Sequence, residues 1–211
     1  MQEYLTLTNI VILITVVLSF QAFQKPDLMQ KFIFKPTIIN DHKEYSRFLS
    51  SGFIHADWVH LGVNMYMLYL FGRFSESLFL FLFGHTGGKI AFLLFYLSAI
   101  VVSSIPSYFR HKDNYTYAAL GASGATSALV FAYILYAPWQ MFIFPPVPAI
   151  VFGVLYLIYS SYMDRKGTDN IGHNQHFWGA VYGLTFVLVS MAITRPDMLA
   201  AVLDGILAGP F

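Results

Sequence analysis

Six stretches of this chain are apolar over roughly the length of a membrane crossing, and that constrains everything else it can be. A helix needs about 20 mostly apolar residues to cross the hydrocarbon core, within a range near 17–25. The stretches run Leu5–Phe23, Trp58–Phe74 with an extension to Phe83, Ile90–Ile105 before Pro106, Ser123–Ala137 before Pro138, Pro148–Met163, and His176–Thr194 before Arg195-Pro196. The composition agrees. The chain is 57% hydrophobic and 11% charged, where a soluble domain carries roughly 25% charged residues. The expected fold is an all-α membrane protein, a six-transmembrane-helix bundle. It is read as one domain over residues 1–211, with a core at about 5–194 and a short apolar tail at 195–211. The first stretch lacks a basic leader and a small-residue cleavage site, so it is read as a retained span. The absence of cysteine excludes disulfides, thiolate metal sites and a cysteine nucleophile. A net charge of +1 gives no basis for a nucleic-acid partner.

The joints at Gly84–Lys89, Arg110–Tyr117 and Asp164–Gln175 are polar or glycine-rich. The first loop, Gln24–Gly52, is long. It mixes Phe32, Phe34 and Ile38 with Lys31, Lys35 and Lys43, which suits a segment lying partly in the membrane interface. The fourth stretch is short. Its fifteen residues cover about 22 Å at 1.5 Å per residue, against a hydrocarbon core of about 30 Å. Anchored at Pro138-Trp139, it leaves Ser123 below the opposite surface, and the Asn114–Leu120 segment must dip in to reach it. Non-helical backbone at that depth is tolerated where it is buried in protein or lines a wet cavity.

Polar groups in a membrane are costly and are functional candidates by default. The second, fourth and sixth stretches share an orientation, so His60, Ser123 and His176, each near an N-terminal end, can meet at one depth. A serine hydroxyl needs an adjacent base to become a nucleophile, and imidazole is the usual one. Gly124, Ala128 and Ala132 form a small-residue strip beside Ser123. His176, Gly179 and Gly183 share one face of the sixth stretch. Such strips let membrane helices approach closely, which brings the histidine toward the serine. Ser123 also opens its helix, where unpaired N–H groups and the positive dipole end suit a developing oxyanion. His60 and Asn64, four apart, share a face, and both can donate hydrogen bonds. No acid within the spans is available as a third triad member, so a serine–histidine dyad is expected. His55, Asp57, His173 and His176 sit on distant segments, and no metal centre or cofactor is expected of them.

In this order, His55-x4-His60-x3-Asn64, Gly121-Ala122-Ser123-Gly124 and His176-x2-Gly179-x3-Gly183 resemble the motifs of the rhomboid family of intramembrane serine proteases, in its six-helix minimal, bacterial-type form. The resemblance implies that Ser123 is the nucleophile and His176 the general base. It puts His60, Asn64 and the Ser123 N–H in an oxyanion hole, with His55, Gly121, Gly124, Gly179 and Gly183 in support. It makes Glu44 and Arg47 a Glu-x-x-Arg pair bracing the first loop. It likens the fifth helix, with Phe152, Tyr156 and Tyr159, to a lateral gate for substrate helices. The implied partners are transmembrane protein substrates and the lipid bilayer, with no nucleic acid. The implied location is multi-pass in a bacterial cytoplasmic membrane, with the active site outside.

Two features depart from that pattern. Many relatives carry an aromatic residue four after the nucleophile, stacked on the histidine; here the position is Ser127. The loops on the implied outer side hold Lys25, Lys31, Lys35, Lys43, Arg47, Arg110, Lys112, Arg165 and Lys166, while the inner ones hold Arg73, Lys89 and Arg195. The positive-inside rule favours the reverse orientation. Two other function classes compete. A non-catalytic relative that retains client helices typically loses the serine or the histidine, and both are present. A small transporter would show repeated broken helices with midplane charges, and the chain has no such symmetry.

Overall fold

The computed structural model describes residues 6–143, 145–167 and 171–209. Leu5, where the first apolar stretch begins, lies outside them, as does the end of the tail. Among the described residues the α-helices are α1 (Leu7–Gln24), α2 (Pro26–Phe32), α3 (Pro36–His42), α4 (Arg47–Ser50), α5 (Trp58–Met67), α6 (Arg73–His111), α7 (Ser123–Tyr136), α8 (Ala149–Lys166), α9 (His173–Thr194) and α10 (Pro196–Ala208). A π-helical turn, Leu68–Gly72, joins α5 to α6 without a break. No strand occurs among the described residues, only isolated bridges. The protein is an all-helical membrane bundle.

The element Trp58–His111 is 54 residues long, far more than one crossing needs. It folds double at Gly84, whose φ of 73° and ψ of 178° lie outside the helical region. The rings of Phe79 and Phe95, which would stand about 24 Å apart along a straight helix, are 5.2 Å apart. A Cβ on Gly88 would fall 2.4 Å from the Leu80 Cα, so only glycine lets the arms cross. The polar joint expected at 84–89 is therefore a one-residue hinge. The third segment also continues past Pro106 to His111 instead of stopping there. Proline removes one helical hydrogen bond, but such breaks are tolerated in membrane helices where serines and neighbouring helices compensate.

Both arms of α6 take part in the bundle. Leu7–Gln24, the doubled element and His173–Thr194 are long and apolar enough to cross a membrane, while Ser123–Tyr136 is shorter. α8 ends in a charged turn, Asp164–Lys166. Polarity is arranged inside out along α1. Its buried face is Thr8, Val11, Thr15, Ser19 and Ala22, while Leu13, Ile14, Val17 and Phe20 are exposed. Small and hydroxyl side chains at this spacing admit close helix packing.

Three features add to the sequence reading. The first loop has helices of its own, α2 to α4. The tail is not featureless: α10 docks on the bundle, and the Trp139 indole donates to the Gly205 carbonyl at 2.9 Å. One acid lies within the spans, placed away from the candidate dyad. Glu76 is buried, but its carboxylate accepts from the N–H groups of Leu7 and Thr8 and from the Thr8 hydroxyl at 2.8–2.9 Å, capping α1. Twelve residues beyond Asn64, it sits about 18 Å further along the span.

Candidate functional site

The N-terminal ends of α5, α7 and α9 come together against the first loop. The loop is tied down before it can hold anything. Arg47 is buried, and its guanidinium donates to the Glu44 carboxylate at 2.7 Å and to the carbonyls of Gln30 and Ile33 at 2.7 and 3.0 Å. Glu44 is half exposed, so its ion pair adds little stability. The two carbonyls make Arg47 the staple between α2 and α4. Phe34, fully buried, pairs antiparallel with Ala119: each N–H donates to the other's carbonyl, at 2.9–3.0 Å. The Gly121 N–H donates to the Ser51 carbonyl at 2.9 Å. The chain leading into α7 is thus set by the first loop.

Gly121 has φ +109°, and a Cβ there would lie 2.6 Å from the His60 ring. Glycine is required twice over, for the turn and for the approach of His60. His55 lies beneath. Its ring meets that of His60 edge-on, with centroids 5.0 Å apart. The Ala122 N–H donates to His55 Nε2 at 3.3 Å. Nε2 must then be the unprotonated nitrogen, so Nδ1–H donates to Ser19 Oγ at 3.0 Å. The Ser19 hydroxyl in turn donates to the Phe53 carbonyl at 3.1 Å. Burial, and next the neighbouring His60, push the His55 pKa down to about 3, against a smaller upward pull from Asp57. A neutral ring is what this pattern of donors requires. His55 links α1 to the residue before Ser123 and does not itself reach into the site.

Asn64 is buried. Its amide donates to the His60 carbonyl at 3.0 Å and accepts from Thr126 Oγ1 at 3.2 Å, one turn along α7 from Ser123. Asp57 caps α5 by accepting from the His60 N–H at 2.8 Å.

α7 and α9 touch backbone to backbone. A Cβ on Gly179 would fall 2.1 Å from the Gly124 carbonyl oxygen, and one on Gly183 would fall 2.3 Å from that of Ala128. A Cβ on Gly124 would lie 2.2 Å from Ser103 Oγ and 3.4 Å from the Gln175 carbonyl. The residues flanking Ser123 and His176 are therefore neighbours. α9 begins at His173, one turn before His176, because the polar run His173-Asn174-Gln175 is buried, with Asn174 and Gln175 bonded to neighbouring elements. Asn174 accepts from Ser107 Oγ and donates to Asp164, and Gln175 donates to Ser104 Oγ. Ser123 and His176 are each partly exposed.

Sequence reasoning did not find Ser19, Ser51, Thr126 or the position of Tyr156. The Tyr156 ring lies 22° from the plane of His176, with centroids 6.1 Å apart. The hydroxyl stripe of α1 was a signal for Ser19. A backbone carbonyl acceptor such as that of Ser51 leaves none.

A multi-helix membrane bundle with these groups gathered at one end defines a class. The Rhomboid domain matches residues 42–193 of this chain, and the chain belongs to the rhomboid family. It is 29% identical over 142 residues to "RHOMBOID-like protein 12, mitochondrial" of Arabidopsis thaliana, covering 63% of this chain and 42% of that protein. It is 29% identical over 191 residues to "Presenilin-associated rhomboid-like protein A, mitochondrial" of Danio rerio, covering 86% of this chain and 47% of that protein. The chain spans less than half the length of each.

Proposed function

We propose that this protein is an intramembrane serine endopeptidase that cuts peptide bonds in or near transmembrane segments of other membrane proteins. The observation that carries this reading is the glycine contact of α9 on α7, with Gly179 on the Gly124 carbonyl. It holds the helix ends that bear Ser123 and His176 side by side. In the proposed reaction Ser123 Oγ attacks the scissile carbonyl carbon while His176 takes its proton. The C=O pair moves onto oxygen, facing the N-terminal N–H groups of α7 and the side chains of His60 and Asn64. Collapse of the intermediate expels the amine, which takes the proton from His176. Water then repeats the sequence on the acyl-enzyme and frees the acid. A helical peptide bond is sterically shielded, so the substrate unwinds locally, and small side chains at the cut site favour this.

The test is labelling by a fluorophosphonate, which reacts with an activated serine. The wild-type protein should be labelled and should cleave a model transmembrane substrate. Ser123→Ala and His176→Ala should each abolish both, and the double variant should be no worse than either, because residues acting as a unit are non-additive. Undiminished labelling of Ser123→Ala, or a folded wild-type protein that neither labels nor cleaves, would overturn the reading.

We also propose that the site faces the outside of a bacterial cytoplasmic membrane. The lysines of the first loop argue for the reverse, but the Arg47 charge there is paired locally with Glu44. In this cysteine-free chain, Lys35→Cys should react with a membrane-impermeant thiol reagent in intact cells. Reaction only after the membrane is broken would reverse the orientation.

A further inference from the structure

One turn after Ser123, on the same face of α7, stands Ser127. Its side chain is too short to reach the plane of a histidine ring. The space above it is filled from another helix, by Tyr156 of α8. The Ser127 and Tyr156 hydroxyl oxygens are 2.6 Å apart, and Ser127 Oγ donates to the Ser123 carbonyl at 2.8 Å. Ser127 has one proton and spends it on that carbonyl, so the Tyr156 phenol is the donor between them. A hydrogen-bonded chain thus runs from Tyr156 through Ser127 to the backbone of Ser123. The Tyr156 ring meanwhile lies nearly parallel to His176, within the range of offset stacking. His173 closes on His176 edge-on, with centroids 5.7 Å apart. Tyr156 is itself flanked by Phe131 and Phe152, each at 5.8 Å between ring centroids.

We propose that Tyr156 is the positioning residue that orients the His176 ring toward Ser123, and that α8 rather than α7 supplies it. One side chain bonds the serine's turn and stacks on the histidine, so it fixes the two against each other. A movement of α8 away from α7 cannot occur without lifting this ring from His176.

The activity readout rests on the protease reading, and a second readout does not. Tyr156→Leu should lower kcat by about 10²-fold, the scale of a misplacement of about 1 Å, with KM held within about threefold. Fluorophosphonate labelling of Ser123 should slow in step. Tyr156→Phe keeps the ring and loses one hydrogen bond worth about 1 kcal/mol, so it should lose only about fivefold. Adding Ser127→Tyr to Tyr156→Leu returns a ring from α7 and should recover at least about tenfold. Independently of turnover, the His176 Cε1–H resonance of 13C-histidine protein in detergent should carry a ring-current shift that Tyr156→Leu removes and Tyr156→Phe retains. Unchanged kcat with an unchanged resonance in Tyr156→Leu would overturn the proposal. A raised KM alone would do so too, by making Tyr156 a wall of the substrate path. Were the wild-type protein inert to both substrate and fluorophosphonate, the protease reading would fall and the resonance alone would decide the positioning role.

Discussion

α8 and α9 both pack on α7, and they do so by opposite means. α9 lies against it through Gly179 and Gly183, close enough that a Cβ at either would overlap an α7 carbonyl. α9 is tied to α6 as well, by Ser107–Asn174 and Gln175–Ser104 hydrogen bonds and by stacked Phe95 and Tyr182 rings. α8 buries three residues, Ala149, Gly153 and Ser160. It exposes Val151, Val154, Leu155, Ile158, Tyr159 and Tyr162. It is held by Phe152, Tyr156 and Leu157 against Val130, Phe131 and Ile134 of α7, by the Tyr159 ring edge-on to His173 of α9, and at its far end by Asp164, which accepts from Arg110 at 2.6 Å and from Asn174 at 3.2 Å. Lipid tails are as apolar as leucine, so burying leucine gains nothing between membrane helices, and close backbone approach decides rigidity. Here the two groups proposed for the chemistry stand on the close-packed pair, while Tyr156, which stacks on His176 and reaches the Ser123 backbone through Ser127, stands on the more lipid-exposed α8. Such a division suits a site that must keep its geometry beside a wall that yields.

The sharpest way to break this contrast is one methyl group on α9. Gly179→Ala puts a Cβ 2.1 Å from the Gly124 carbonyl oxygen, a backbone atom with no rotamer to escape through. Overpacking of a tight core costs about 1–3 kcal/mol and occasionally more, and this contact belongs at the upper end. Thermal unfolding in detergent should show a loss of about 3 kcal/mol. The separation it forces should also slow fluorophosphonate labelling of Ser123 by about 10²-fold. Wild-type melting and labelling together would mean that α7 and α9 do not need to touch here.

Much of this arrangement is legible in the chain, and its limits are physical. Apolar run length locates segments because the bilayer sets a minimum length. It is blind to how they end. Gly84 turns the chain within a single residue, so the joint looks longer in composition than it is in space. Pro106 reads as a stop in isolation, yet the helix runs through it to His111, because a membrane helix packed among its neighbours tolerates one missing bond. His173, Asn174 and Gln175 read as loop because they are polar. They are helical because α6 and α8 present Ser104, Ser107 and Asp164 to Asn174 and Gln175. In the site, small-residue spacing on one helix speaks of a close crossing, and Gly179 does meet Gly124. Ser127 carried no such signal. A serine where an aromatic residue is expected shows what is missing from α7, but not that α8 fills the gap. That substitution lies between helices, and no periodicity within one helix encodes it.

The smallest expected effect tests the other half of the contrast. Gly153 is the one glycine in α8, and a Cβ there would meet the Ile134 Cδ1 at 3.1 Å and a Phe131 ring carbon at 3.4 Å. Both are side-chain atoms, one of them the end of a flexible chain, and α8 has lipid-facing room to shift by a few tenths of an ångström. Alanine in place of a mid-helix glycine gains about 1 kcal/mol in helix propensity, against a small cost of displacing Ile134. Gly153→Ala should therefore leave the melting temperature unchanged or slightly raised, and labelling of Ser123 within about twofold of wild type, since a 0.4 kcal/mol change is about a factor of two. The same substitution would thus be severe on α9 and nearly silent on α8. If Gly153→Ala destabilised the protein as much as Gly179→Ala, α8 would be seated as firmly as α9. The yielding wall would then be rigid, and the His176 orientation that depends on Tyr156 would be fixed by the bundle itself, not by where α8 happens to lie.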